Sequence, residues 1–269
     1  MKTRVSNIFM YAFLSVAAIL SLFPLVWTLI AATNTNADIL RGVLLPGTHL
    51  FQNFIRLTEL SDLGVAFWNS ARNSILATFI SMVICSLAGY GFEIFHSRAK
   101  DRLMTILLLS MMIPFAAVMI PLFQLVGNLG LFNTTLGFML PTLSTAFLIM
   151  LFRQSTRTFP REMIEAARID GLNELNIFMR IYIPTMKSTY AAAITITFMA
   201  TWNVFLWPRI IMISPDSITM PLLISNLMAG YVADFGVIML AVTIATLPTV
   251  LIFFFLQRHF AEGVLGAVK

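Results

Sequence analysis

The chain has 269 residues, of which 59% are hydrophobic and only 11% charged, with a formal net charge of +5. A soluble domain carries about 25% charged residues because its surface faces water, so a water-soluble globule is excluded and the surface must face lipid. Neither a nucleic-acid protein nor a disulfide scaffold fits, because the basic residues form no soluble patch and Cys85 is the single cysteine.

A helix needs roughly 20 apolar residues to cross a bilayer. The first stretch that qualifies is Ile8–Ala32, preceded by Lys2 and Arg4. It looks like a signal peptide but is too long for an h-region and has no clean small-residue cleavage site after it, so it is read as a retained span. Residues 33–69 then form the longest outer loop, with Asp38, Arg41, Pro46, Gly47 and Asn53 marking turns. Ser70–Phe92, Leu103–Val126 and Thr135–Phe152 are the next three spans. Asn133-Thr134-Thr135 between them matches a glycosylation acceptor but carries little weight in a bacterial-looking chain.

Arg153–Ser188 is the largest inner loop and the most charged segment. Tyr190–Ile213 and Val237–Leu256 complete six spans, separated by a second outer loop at Ser214–Asp234, and a short tail runs from residue 258 to 269. The expected architecture is one all-α membrane domain over residues 1–269: a first span and outer loop to 69, a core over 70–257, and the tail. Outer loops of this size hold no ligand-binding domain, so any soluble receptor is a separate chain.

Orientation follows from the basic residues, which stay in the cytoplasm. With the N-terminus inside, Lys2, Arg4, Arg98, Lys100, Arg102, Arg153, Arg157, Arg161, Arg168, Arg180, Lys187, Arg258 and Lys269 are cytoplasmic, and only Arg41, Arg56, Arg72 and Arg209 are not. Both termini are therefore expected inside. Pro24, Pro114, Pro121, Pro141, Pro208 and Pro248 fall in spans; they read either as hinges or as the prolines that spanning helices commonly tolerate.

Within the inner loop, Met163, Ile164, Ala167, Leu172, Leu175, Phe178 and Ile181 recur at helical spacing. Pro160 opens a helix, Asp170-Gly171 breaks it, Asn173 caps a second one, and Pro184 is expected to end that. Two short helices with one apolar face would either lie on lipid headgroups or dock into a groove on a cytoplasmic partner. The pattern alone leaves both open.

Glu165-Ala166-Ala167, then Gly171, Ile181 and Pro184, resembles the EAA loop of ABC importer permeases, with Ile183 where that family usually has leucine. Phe152-Arg153-Gln154 before the loop, the run Trp202 to Pro208 after it, and the ending Gln257 to Gly263 are similar to the smaller permease of maltose-type carbohydrate importers; a similar branch moves glycerol phosphate. The resemblance implies a type I importer permease fold in the bacterial inner membrane. It further implies a heterodimer with a second permease, two ATPase subunits that hold ATP and Mg, an extracytoplasmic solute-binding protein, and alternating access. It implies that Glu165 makes a polar contact in or beside the ATPase groove, that Ala166 and Ala167 let the helix sit close, that Gly171 supplies the turn, and that Asp170 and Pro184 belong to the same ATPase-coupling set. The tail resembles tails that reach toward the ATPase interface.

For the solute path, buried polar groups stand out because lipid penalises them. Asn203 in the fifth span leads, with Trp202 and Trp207 able to stack on sugars or sit at the membrane interface, and Asn69, Arg72 and Asn73 at the outer start of the second. Helix packing explains each equally well. An ion-coupled transporter would need ionisable residues inside its spans, and an enzyme a convergent set of His, Asp, Glu or Cys; neither is visible. No ATP, NAD or metal motif appears, and His49, His96 and His259 are far apart. Permeases for amino acids, phosphate or polyamines are opposed only by the flanking segments.

Overall fold

The computed structural model describes residues 2–230 and 233–266, and every regular element among them is helical. In chain order these are α1 (Lys2–Ala31), α2 (Asn36–Leu40), α3 (Leu50–Leu60), α4 (Leu63–Ile94), α5 (Arg98–Ser110), α6 (Phe115–Asn128), α7 (Thr135–Met139), α8 (Ala146–Thr156), α9 (Arg161–Ile169), α10 (Glu174–Ile177), α11 (Ile183–Thr185), α12 (Lys187–Trp202), α13 (Leu206–Ile211), α14 (Met220–Met228) and α15 (Phe235–Gly266).

Phe9–Ala31, Leu63–Ile94, Lys187–Ile211 and Phe235–Gln257 are each long and apolar enough to cross a membrane. The expected third and fourth spans are not straight. Arg98–Ser110 and Phe115–Asn128 meet at 99°, and Thr135–Thr142 and Ala146–Thr156 at 52°, so the number reaches six if each bent pair is one span. Pro114 explains the sharper bend. It lacks an N–H and pushes the residue before it out of helical geometry, and it sits extended at the start of α6 (φ −64°, ψ 139°). At the gentler bend Thr145 is extended and accepts from the Leu148 N–H, capping α8.

The two segments expected as outer loops hold more structure than their turn residues suggest. Residues 33–69 contain α2, α3 and the first turns of α4, and 214–234 contain α14. Short amphipathic helices among turn signals escape a reading tuned to spans of about 20 residues.

The chain forms two compact units. The first comprises Met1–Gly64 and Met220–Leu247. Here the Asn53 amide donates to the carbonyls of Ala32 and Asn34, each at 3.0 Å, and Asn34 donates to Leu45 O. A Cβ on Gly236 would lie 2.9 Å from the Asn34 backbone oxygen and 2.8 Å from Asn53 Nδ2, so a side chain there would push the backbone of this contact apart. Arg56 pairs with Asp234 at 3.1 Å.

The second unit comprises Val65–Thr219 and Pro248–Lys269. Its core forms where α4 crosses α8, around Met82, Cys85, Phe92, Leu148, Ile149 and Phe152. Asn133, in the left-handed region at φ 59°, ties two loops of this unit together. Its Oδ1 accepts from the backbone of Ile213 and Ser214 and from the Ser217 hydroxyl.

Candidate functional site

Pro160 precedes α9 in extended geometry, and Ile164 and Ala167 turn inward, 2% and 4% exposed. Tyr90, Phe159, Ile177, Phe178, Tyr182 and Met186 surround them. The same helix turns Met163, Glu165, Ala166, Arg168 and Ile169 outward, with Ile169 87% exposed.

Asp170 and Gly171 end α9 as the sequence suggests. Gly171 has φ +81°, its N–H donates to Arg168 O, and the Leu172 N–H reaches back to Ala167 O. This paired closure needs a left-handed residue, which glycine adopts without steric cost. Asn173 then caps α10, its Oδ1 accepting from the Asn176 N–H at 2.9 Å. Two short helices joined by a glycine turn are therefore present.

Pro184 does not stop the second helix. A π-turn at Phe178–Tyr182 leads through α11, which contains Pro184, and then into α12. The proline ring crowds the carbonyl four residues back and offers it no N–H; a wider turn absorbs that conflict and lets the helix go on.

Behind the hairpin lies an aromatic layer. The Tyr90 ring is 5.4 Å from Phe178 and 4.9 Å from Tyr182, and the Tyr182 hydroxyl meets Thr156 Oγ1 at 2.6 Å. Burial pushes the Tyr182 phenol above its ordinary range. The Tyr90 hydroxyl donates to Glu174 Oε2 at 3.0 Å, and Arg168 Nε donates to Glu174 Oε1 at 2.7 Å. That Arg168 bond holds the Glu174 carboxyl below the usual carboxylate range and the Arg168 guanidinium above its own. Glu174 thus ties the second limb of the hairpin both to α4 and to α9.

The structure splits the apolar positions that the sequence places on one face. Ile164, Ala167 and Phe178 are buried and Leu172 and Ile181 half-buried, whereas Met163 and Leu175 are exposed. Ile169 and Met179, out of phase with that pattern, are exposed too; being out of phase is the signal that marks them. Glu165 and Ala166 are on the outer surface, Ala167 is in the chain's own core, and Asp170, Gly171 and Pro184 are exposed.

Sequence reasoning misses Glu93. Its carboxylate faces Arg153 and Arg157 at 3.3 Å each and Arg161 at 3.5 Å. A lone glutamate one residue past a span, with arginines clustered in a later loop of the same side, is the available sign.

The residues expected along a solute path lie apart from this hairpin. Asn203 lies inside the apolar stretch Lys187–Ile211, at the break between α12 and α13: it caps the end of α12, is exposed, and donates to Met199 O at 2.8 Å. Trp202 is 2% exposed, with its ring against Phe67 and Phe198, and Trp207 donates to Gly137 O. Asn69 is buried and donates to the carbonyls of Asp216 and Ile218, while Asn73 is fully buried beside Arg72. Among the described residues, then, Asn203 alone of Trp202, Asn203, Asn69 and Asn73 is exposed. Side chains of the tail, 258–269, lie outside the described residues.

Residues 94–266 match the family described as binding-protein-dependent transport system inner membrane component. The chain is 46% identical to the lactose transport system permease protein LacG of Rhizobium radiobacter, over all of this chain and 98% of that one. It is 32% identical to the arabinooligosaccharides transport system permease protein AraQ of Halalkalibacterium halodurans, over 94% of this chain and 92% of the other. Its fold is that of a chain in the crystal structure of a bacterial ABC transporter involved in the import of the acidic polysaccharide alginate, with a TM-score of 0.83, 20% identity, and coverage of 97% and 98% of the two chains.

Proposed function

The chain belongs to the binding-protein-dependent transport system inner membrane components, a multi-pass, non-catalytic ABC permease, and from that premise we propose that it translocates a di- or oligosaccharide. The sugar class rests on what LacG and AraQ are named for.

The observation that carries the mechanism is the outer surface of the α9–α10 hairpin. Met163 and Ile169 on α9, Leu175 on α10 and Met179 just after it are large, apolar and exposed, and Glu165 on α9 is exposed with them. Exposed clusters of this kind mark docking surfaces, and an apolar helix face with few anchors suits a groove on another protein. The opposite face is already sealed by Ile164, Ala167, Phe178 and Tyr182, so the hairpin moves with the permease core. On this reading an ATPase subunit receives the hairpin, and ATP-driven closure of two ATPases, which hold ATP and Mg, turns the spans between outward and inward states. A second permease completes the path and an extracytoplasmic binding protein delivers the sugar. The hairpin and both termini face the cytoplasm. Glu165 supplies the polar contact, Ala166 the close approach, and Gly171 the turn that presents both.

Glu165→Lys and Gly171→Arg are each expected to abolish sugar uptake by the reconstituted importer while the permease still reaches the membrane. Normal uptake with either overturns the docking assignment. The sugar itself is named by whichever member of a panel, lactose included, stimulates the ATPase activity of the complete complex.

A further inference from the structure

Glu93 sits in the last turn of α4, with its side chain 9% exposed. A carboxylate this buried is costly unless paired, and it faces three arginines from successive turns of one segment. Arg153 lies in the last turn of α8, Arg157 caps its end, and Arg161 is the first residue of α9. Glu93 therefore spans the Phe159-Pro160 corner and touches the chain on both sides of it.

The three contacts differ in kind. The Arg153 side chain is 5% exposed and also holds Asp101; an ion pair so buried cannot be opened without stranding a charge. Arg157 and Arg161 are 48% and 62% exposed, so water competes for them and each is readily made and broken. One turn earlier in α4, Tyr90 reaches Glu174 on the other limb of the hairpin. The end of α4 thus grips both limbs, one through a neutral hydroxyl and the other through Arg161.

We propose that Glu93 is a positioning residue that sets the angle of α9, with Arg153 as a fixed anchor and Arg161 as a releasable contact. A push on the docked hairpin reaches α4 through the Glu93–Arg161 pair. The second half of this proposal rests on the docking reading above; the first half does not.

The test is hydrogen exchange on the complete importer carrying full-length permease. In Arg161→Gln, amides 162–169 are expected to exchange about two- to five-fold faster, the span set by losing a solvent-exposed ion pair, with residues 146–156 unchanged. Arg161→Lys restores most of the protection. Unchanged exchange over 162–169 overturns the positioning role. Adding ATP and vanadate should alter exchange at 86–94 in the wild-type complex and in Arg161→Lys, and not in Arg161→Gln. A full nucleotide response in Arg161→Gln, or none in the wild type, overturns the transmission role. A wild-type permease that retains no ATPase subunit sinks the docking reading instead, while the exchange rates of 162–169 still decide the Glu93–Arg161 contact.

Discussion

Two glycines of α4, Gly89 and Gly91, are expected to respond to alanine with opposite signs. A Cβ on Gly89 would stand 2.5 Å from Phe152 Cβ and 2.8 Å from the Arg153 backbone nitrogen, whereas one on Gly91 would meet nothing within 4 Å. Carbon atoms pack best at about 3.5–4.0 Å, so Gly89→Ala must part α4 and α8 by roughly 1 Å. That opens the cluster around Met82, Cys85, Leu148, Ile149 and Phe152, and small residues at helix contacts in membranes serve such close approach. Overpacking of this kind costs about 1–3 kcal/mol, set against about 0.5–1 kcal/mol gained by replacing glycine inside a helix. Gly91→Ala has only the gain. At about 2–4 °C per kcal/mol for a chain of this size, Gly89→Ala should lower the unfolding midpoint by up to about 10 °C and Gly91→Ala raise it by about 1–4 °C. Thermal unfolding of each purified variant in one detergent is the assay. Equal midpoints for the two variants would refute the close-packing argument.

Two further outcomes test other parts of the fold. Asn133→Ala removes the acceptor for Ile213, Ser214 and Ser217 and places alanine at φ 59°, so it should destabilise by about 2–4 kcal/mol; Asn133→Gly, relieved of the backbone strain, should recover about 1 kcal/mol of that in the same melt. Because the Glu174 carboxyl is depressed by Arg168, its contribution is present above the ordinary glutamate range near pH ~4.3 and is lost as pH falls through the lower folded value. Exchange over 161–177 should therefore stay slow down to that range and accelerate below it, and in Glu174→Gln this acid-dependent step should vanish.

Local chemistry makes much of the hairpin legible in the sequence. Pro160, Asp170-Gly171 and Asn173 each act through their own backbone or the next few residues, and each does in the fold what its type suggests. The bends at Pro114 and Thr145 are harder to read, because proline is compatible with both a kinked span and a broken one, and only packing decides. Pro184 is ambiguous for the same reason. Whether the chain stops there or widens into a π-turn depends on how firmly Tyr90, far away in sequence, holds Phe178 and Tyr182. The place of Asn203 within an apolar stretch is legible, but the break that it caps is not, because hydropathy averages over it. Glu93 and its arginines, 60 to 64 residues apart where hydrogen bonded, leave no periodic trace at all.

The π-turn makes chain length between Phe178 and Tyr182 more forgiving than elsewhere along this helix. It completes a turn with one more residue than an α-helix would, whereas each residue of an α-helix advances the chain by about 100°. Deleting a single residue there would close the helix as an ordinary α-turn and leave everything before it facing nearly the same way, while a deletion within α12 would swing it around the axis. In the second case Glu165, Ile169 and Leu175 would keep their own helices while pointing elsewhere. The stretch should therefore tolerate loss of an exposed residue such as Met179 better than replacement of the buried Phe178 or Tyr182.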